Sequence, residues 1–78
     1  MPDTAIAAAL QKAGYNEKPW SATEKLACVE RELRWRYKVY PRRVEQGNMT
    51  DKQAAREISI MESIAADLRA LSERERLL

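Results

Sequence analysis

One amphipathic stretch, residues 21–46, constrains this chain more than any other part of its sequence. At about 100° per residue, its large apolar side chains fall within an arc of roughly 80°, in steps of three and four. The members of this stripe are Leu26, Val29, Leu33, Tyr37, Tyr40 and Val44. Such a stripe predicts a single long helix with one buried face.

Local signals mark both ends of this predicted helix. Ser21 and Glu24 have the spacing of a capping box, in which the side chain of each residue bonds to the backbone amide of the other. Gly47 suits the left-handed conformation that ends many helices. Pro41 lacks an amide donor and leaves two outcomes open. We expect a kink, because the stripe stays in phase beyond it, and the alternative is a break at Tyr40.

A second long helix is predicted over residues 50–76. Thr50 and Gln53 repeat the capping-box spacing, whereas the polar residues 72–76 are expected to fray. Its central apolar stripe comprises Ala54, Ile58, Met61, Ala65 and Leu68, and Ile60, Ile64 and Leu71 widen it. Two helices of about 25 residues joined by so short a turn should lie antiparallel. The predicted fold is therefore all-α, with a long antiparallel helical hairpin.

The chain before this hairpin, residues 1–20, is predicted to form a short helix and a connector. Asp3 marks the start of the helix, Gly14 its end, and Trp20 should anchor the connector against the long helix. All 78 residues then form one small domain, and a core of this size stabilises a fold only weakly unless it is helped. Pairing of two hairpins into a helical bundle would supply that help.

Composition excludes several classes of function. With one cysteine and no histidine, the chain lacks an internal disulfide, the usual zinc ligands and a base that could activate a nucleophile. We therefore expect no enzyme, no catalytic residue, no metal and no cofactor. No apolar run approaches the roughly 20 residues that cross a bilayer, and the apolar residues 5–10 are too few for a signal peptide. A cytoplasmic protein without membrane contact is expected.

Charge is distributed unevenly along the chain, although its net value is only +2. Residues 25–43 hold seven basic and two acidic side chains. Four of the basic side chains, Arg31, Arg34, Lys38 and Arg42, share an arc of about 80° on the predicted long helix. This basic ridge has two interpretations: a solvated face, or a surface that binds an acidic protein or a nucleic-acid backbone.

A separate apolar patch, comprising Cys28, Trp35 and Val39, lies roughly 140° around the helix from the main stripe. The partner helix cannot reach it, so either the N-terminal helix or a second protomer must cover it. Exposed patches that contain tryptophan are typical of interfaces, and we expect a homodimer. Cys28 itself is expected to be a small buried hydrophobe rather than a reactive thiol.

Part of this sequence resembles a known set of proteins. The shared features are Tyr40-Pro41, Val44 three residues before Gly47, Met49-Thr50, and the run Glu57-Ile58 with Met61-Glu62 and Ile64. Over residues 30–68 the chain resembles short, uncharacterised bacteriophage and prophage proteins. The resemblance implies a phage origin and a bacterial host cytoplasm, and it transfers no functional residue.

The predicted function is therefore that of a non-enzymatic, phage-type small protein. It would bind a host or phage protein through a helical surface, either the basic ridge or the patch around Trp35. The alternative is a nucleic-acid-binding accessory protein that uses the basic ridge.

Overall fold

The computed structural model describes residues 4–14 and 19–78, and this part of the chain is helical, with no strand. Helix α1 spans Thr4–Lys12, α2 spans Ala22–Glu45 and α3 spans Asp51–Leu77. The predicted all-α class is confirmed. Asp3 and residues 15–18 of the predicted connector lie outside the described residues.

Both predicted capping boxes are present. The amide of Glu24 donates to the hydroxyl of Ser21 over 3.1 Å, and the amide of Ser21 donates to the Glu24 carboxylate over 3.0 Å. At the start of α3, the amide of Gln53 donates to the Thr50 hydroxyl, and the Thr50 amide donates to the Gln53 side chain, over 3.0 and 2.9 Å. These bonds satisfy amides that a helix N-terminus leaves without a partner.

The end of α2 is fixed by Gly47, whose φ is +77°. Its amide donates to the carbonyl of Val44 over 3.1 Å, and the amide of Asn48 donates to the carbonyl of Arg43 over 2.9 Å. This pair of bonds defines the Schellman ending, which depends on a left-handed residue at the first position after the cap. The predicted role of Gly47 is confirmed.

Pro41 lies within α2 and does not end it. The break considered at Tyr40 is therefore wrong, and the helix continues to Glu45. Proline removes the amide that would bond to the carbonyl of Tyr37. Because Pro41 and Tyr37 are both on the exposed part of the helix, water can bond to that carbonyl instead, which makes the interruption tolerable.

Helices α2 and α3 pack against each other along a seam whose residues are three or four positions apart. The buried and half-buried seam residues are Ala22, Leu26, Val29, Leu33, Arg36, Tyr40 and Val44 on α2, and Ala54, Ile58, Met61, Ala65, Leu68 and Ser72 on α3. The stripe predicted for α3 is confirmed. On α2 one prediction is wrong: Tyr37 is 48% exposed, and Arg36 lies in the seam instead.

Residues at the start of α2 meet residues at the end of α3. The amide of Ala22 donates to the Glu75 carboxylate over 3.1 Å, and the hydroxyls of Thr23 and Ser72 are 2.6 Å apart. These contacts hold the last turns of α3 in helical form through Leu77. The prediction that residues 72–76 fray is therefore wrong, because contacts from the start of α2 stabilise them.

Helix α1 ends at Lys12 and is followed by Gly14 with a φ of +82°, so glycine does stop it as predicted. Its two large apolar side chains, Ile6 and Leu10, are 51% and 39% exposed. Within the part of the chain that the structure describes, α1 packs against neither long helix.

Candidate binding surfaces on the long helices

The basic ridge lies on the part of α2 that faces away from α3. All four of its side chains are exposed, and from Arg31 to Arg42 the ridge extends about 16 Å at 1.5 Å per residue. Among residues 4–14 and 19–78, none of the four comes within ion-pair distance of a carboxylate. Within the described residues the ridge is therefore a row of positive charge without ion pairs.

Three other cations on the two long helices, Arg36, Arg69 and Arg76, do have carboxylate partners. Arg36 contacts Glu32 at 3.1 Å and Glu57 at 3.9 Å, and Arg69 contacts Glu30 at 3.6 Å. The guanidinium of Arg36 also donates to the backbone carbonyl of Glu57 over 2.9 Å and lies 5.7 Å from the ring centroid of Tyr40. Sequence reasoning missed Arg36, because its charge argues against a position in the seam.

Trp35, which the sequence assigns to the separate apolar patch, is 45% exposed. Its ring meets Tyr40 edge-on with 6.2 Å between centroids, and the guanidinium of Arg43 lies 5.4 Å from the centre of its ring. Both contacts come from its own helix. Val39 is half-buried. The patch is thus partly covered within α2, and about half of the indole stays accessible at the edge of the basic ridge.

Cys28, the third member of that patch, is exposed. The expectation that it is buried is therefore wrong for the chain on its own, because α3 packs on the far side of α2. Its side chain lines a shallow cavity of about 380 Å³ together with Trp20 and Lys25. Trp20 therefore lies near the first turns of α2, although it is 50% exposed.

The two sides of the α2–α3 pair differ in chemistry. On one side the Tyr37 hydroxyl donates to the Glu62 carboxylate, and Arg69 meets Glu30. The hydrogen bond to Glu62 raises the pKa of Tyr37, because ionisation would remove the proton that the hydroxyl donates. The contribution of this bond to stability is present below the ordinary tyrosine pKa and is lost as the pH rises through the raised value.

On the opposite side Arg36 meets Glu57, and large apolar side chains follow on α3. Ile60, Ile64 and Leu71 come 3, 7 and 14 residues after Glu57, so helical spacing puts them on this same side. They are 44%, 41% and 42% exposed. We call these three residues the α3 apolar stripe. The sequence pattern includes them in one wide apolar arc, but α2 covers only the central part of that arc.

Neither comparison with known proteins nor the grouping of metal-ligating side chains identifies a function for this chain. No protein-family profile, curated protein or solved structure matches this chain. The bacteriophage resemblance of residues 30–68 therefore stays a prediction. Within the described ranges, no three carboxylate or thiol side chains are grouped so that they could hold a metal ion. No helix there is both long and apolar enough to cross a bilayer.

Proposed function

We propose that this protein is a non-enzymatic helical binding module whose basic ridge binds an acidic surface on another protein. In this proposal α2 and α3 form an antiparallel hairpin, and two hairpins pair as a homodimer. The resemblance to bacteriophage proteins supports a phage origin, with a host or phage protein as partner in the bacterial cytoplasm.

One observation carries the proposal: the ridge cations are exposed and have no carboxylate partner among the described residues. Arg34 and Lys38 are four residues apart, as are Lys38 and Arg42, and like charges at this spacing destabilise a helix by about 0.2–0.5 kcal/mol per pair. These like-charge pairs do not stabilise the fold. An acidic partner would convert the repulsion into attraction and would be steered towards the ridge.

The second candidate is binding to nucleic acid, and the position of Trp35 favours it. The half-exposed indole lies beside the ridge, in the arrangement by which proteins stack bases while basic side chains follow the phosphates. Arg43 already covers part of the ring at 5.4 Å. We rank this function second because that contact and the edge-on contact with Tyr40 leave only part of the indole for stacking.

A double charge reversal tests the proposal. Arg34→Glu with Lys38→Glu should abolish capture of a protein partner from nuclease-treated bacterial lysate, while helicity and thermal stability stay nearly unchanged. Exposed charges away from special features usually contribute within about 0.5 kcal/mol. The matched control is Lys52→Glu with Arg56→Glu, which makes the same change in net charge on the exposed surface of α3.

The two candidate functions give different results in this experiment. A captured protein that binds the wild type and the control but not the ridge variant supports the proposed function. A salt-sensitive shift of DNA or RNA by the wild type, lost in the ridge variant, would support the second candidate, since phosphate contacts weaken steeply with salt. If the ridge variant retains its partner, the ridge is only a solvated face.

A further inference from the structure

The α3 apolar stripe is a set of large apolar side chains that the packing of α2 on α3 leaves partly exposed. Its members, Ile60, Ile64 and Leu71, extend over about 16 Å along one face of α3. Val39 lies three residues after Arg36, so it adds to the same side of the pair from α2. Exposed apolar side chains grouped on one side of a helical pair are typical of a protein interface.

The seam between α2 and α3 is poor in large side chains. The buried apolar residues in the described part of the chain are Leu33, Tyr40 and three alanines, Ala22, Ala54 and Ala65. No large side chain there is less than 2% exposed. Small domains need additional burial or covalent staples for stability, and this chain has one cysteine and so no internal disulfide. The helical pair therefore needs a further apolar contact.

The exposed area of the chain supports the same conclusion. A compact monomer of 9.0 kDa should expose about 4,900 Å², whereas this chain exposes 6581 Å². The excess is about 1,700 Å², and a standard interface buries about 800 Å² per partner. Helix α1 contributes part of the excess. The exposed α3 apolar stripe contributes another part.

Helix α1 is a poor candidate to cover this surface. Its nine residues extend about 13 Å, which is shorter than the stripe, and its large apolar side chains are only Ile6 and Leu10. In the described part of the chain it packs against neither long helix. A second copy, by contrast, brings an equal stripe, and two equal surfaces can bury each other about a two-fold axis.

We infer that the α3 apolar stripe is the surface through which two copies of this chain associate. The inference rests on the homodimer of the proposed function and assigns its interface to Ile60, Ile64 and Leu71, with Val39 at the margin. It does not depend on what the basic ridge binds. Since the ridge lies on the side of α2 that faces away from α3, the dimer would present two accessible ridges.

The test is the molar mass of the full chain, measured by sedimentation equilibrium over a wide range of protein concentration. The wild type should be a dimer. Ile60→Glu with Leu71→Glu should give a monomer, because two carboxylates would be buried without partners in each copy. Leu77→Glu with Leu78→Glu is the matched control: it adds the same two charges per copy at exposed positions outside the stripe, and it should remain a dimer.

A milder variant, Ile64→Ala, keeps the test decisive if the charged variant fails to fold. Alanine favours a helix more than isoleucine does, so this variant should keep its helicity and raise the dimer dissociation constant by about tenfold or more. A dimer whose dissociation constant is unchanged in Ile64→Ala would overturn the assignment of the interface. A monomeric wild type would overturn the dimer itself, whichever part of the chain covers the stripe.

The same proteins separate failure of this inference from failure of the proposed function. Partner capture by the ridge is measured on the wild type, the stripe variants and the ridge variant. If only the ridge variant loses partner capture and only the stripe variants lose dimerisation, the results support both the proposed function and the proposed interface. A dimer that uses the stripe but captures no partner supports the interface and overturns the ridge function.

Discussion

Arg36 is a charged residue in the seam between α2 and α3, and its side chain is 16% exposed. Its aliphatic stem covers part of the seam, while the guanidinium reaches Glu32 and Glu57 at the margin. Those two carboxylates are 43% and 49% exposed, so the charges stay largely hydrated. An arginine in this position acts mainly as a packing residue with a polar end.

The prediction at the scale of the residue concerns this packing. Arg36→Ala should lower the free energy of unfolding by about 1–2 kcal/mol, because it removes the aliphatic stem that packs in the seam. Arg36→Met keeps a similar apolar length and should cost less than about 0.5 kcal/mol. Chemical denaturation monitored by circular dichroism measures both. Equal losses in the two variants would mean that the ion pairs, rather than the packing, stabilise the seam.

Sequence reasoning chose Tyr37 over Arg36 for a physical reason. Between Leu33 and Tyr40 a helical stripe can include Arg36, by a step of three and then four, or Tyr37, by a step of four and then three. Both fit a helix equally well, so hydrophobicity alone favoured Tyr37. The structure places the tyrosine at the margin, where its hydroxyl reaches Glu62. That partner lies 25 positions later in the chain, and no local pattern could predict the contact.

At the scale of the element, the ends of the helices were predictable and the extent of their packing was less so. Capping boxes and Gly47 act over three or four residues, so the sequence alone contains them. The end of α3 is different. Residues 72–76 look polar and loose, yet Glu75 accepts a bond from the amide of Ala22, 53 positions away in the chain. Tertiary contacts of this kind override local propensity.

The cap of α3 gives a prediction at this scale. Thr50→Ala removes the hydroxyl that accepts from the Gln53 amide over 3.0 Å, and it should destabilise the protein by about 1 kcal/mol. Thr50→Ser retains an oxygen and serves as the control. The denaturant midpoint measures both variants. An unchanged midpoint in the alanine variant would show that this capping box contributes nothing to the stability of α3.

At the scale of the whole molecule, the sequence predicted more charged and apolar faces on the helices than the packing of α2 on α3 can cover. The basic ridge is exposed as the pattern indicated. The patch of Cys28, Trp35 and Val39 was predicted as a unit, but its members differ: Cys28 is exposed, Trp35 contacts its own helix and Val39 is half-buried. Periodicity shows which residues share a face, but it does not show how far a partner helix extends over that face.

A dimer of this chain should make thermal stability depend on protein concentration. Association stabilises the folded state by mass action, so the wild-type Tm should rise as the protein is concentrated. Ile60→Glu with Leu71→Glu should lower Tm and remove most of this dependence. Calorimetry at several concentrations measures both effects. A Tm that is independent of concentration in the wild type would contradict a dimer coupled to folding.

Pro41 has a consequence for how α2 opens. The missing bond to the Tyr37 carbonyl interrupts the ladder of backbone hydrogen bonds one turn before the helix ends at Glu45. The last turn, in which Val44 is the seam residue, should therefore open more readily than the turns before Pro41, whose amides lie in an unbroken ladder packed on α3. Amide hydrogen exchange should change abruptly at residue 41: fast local opening after it, and protection approaching that of global unfolding before it.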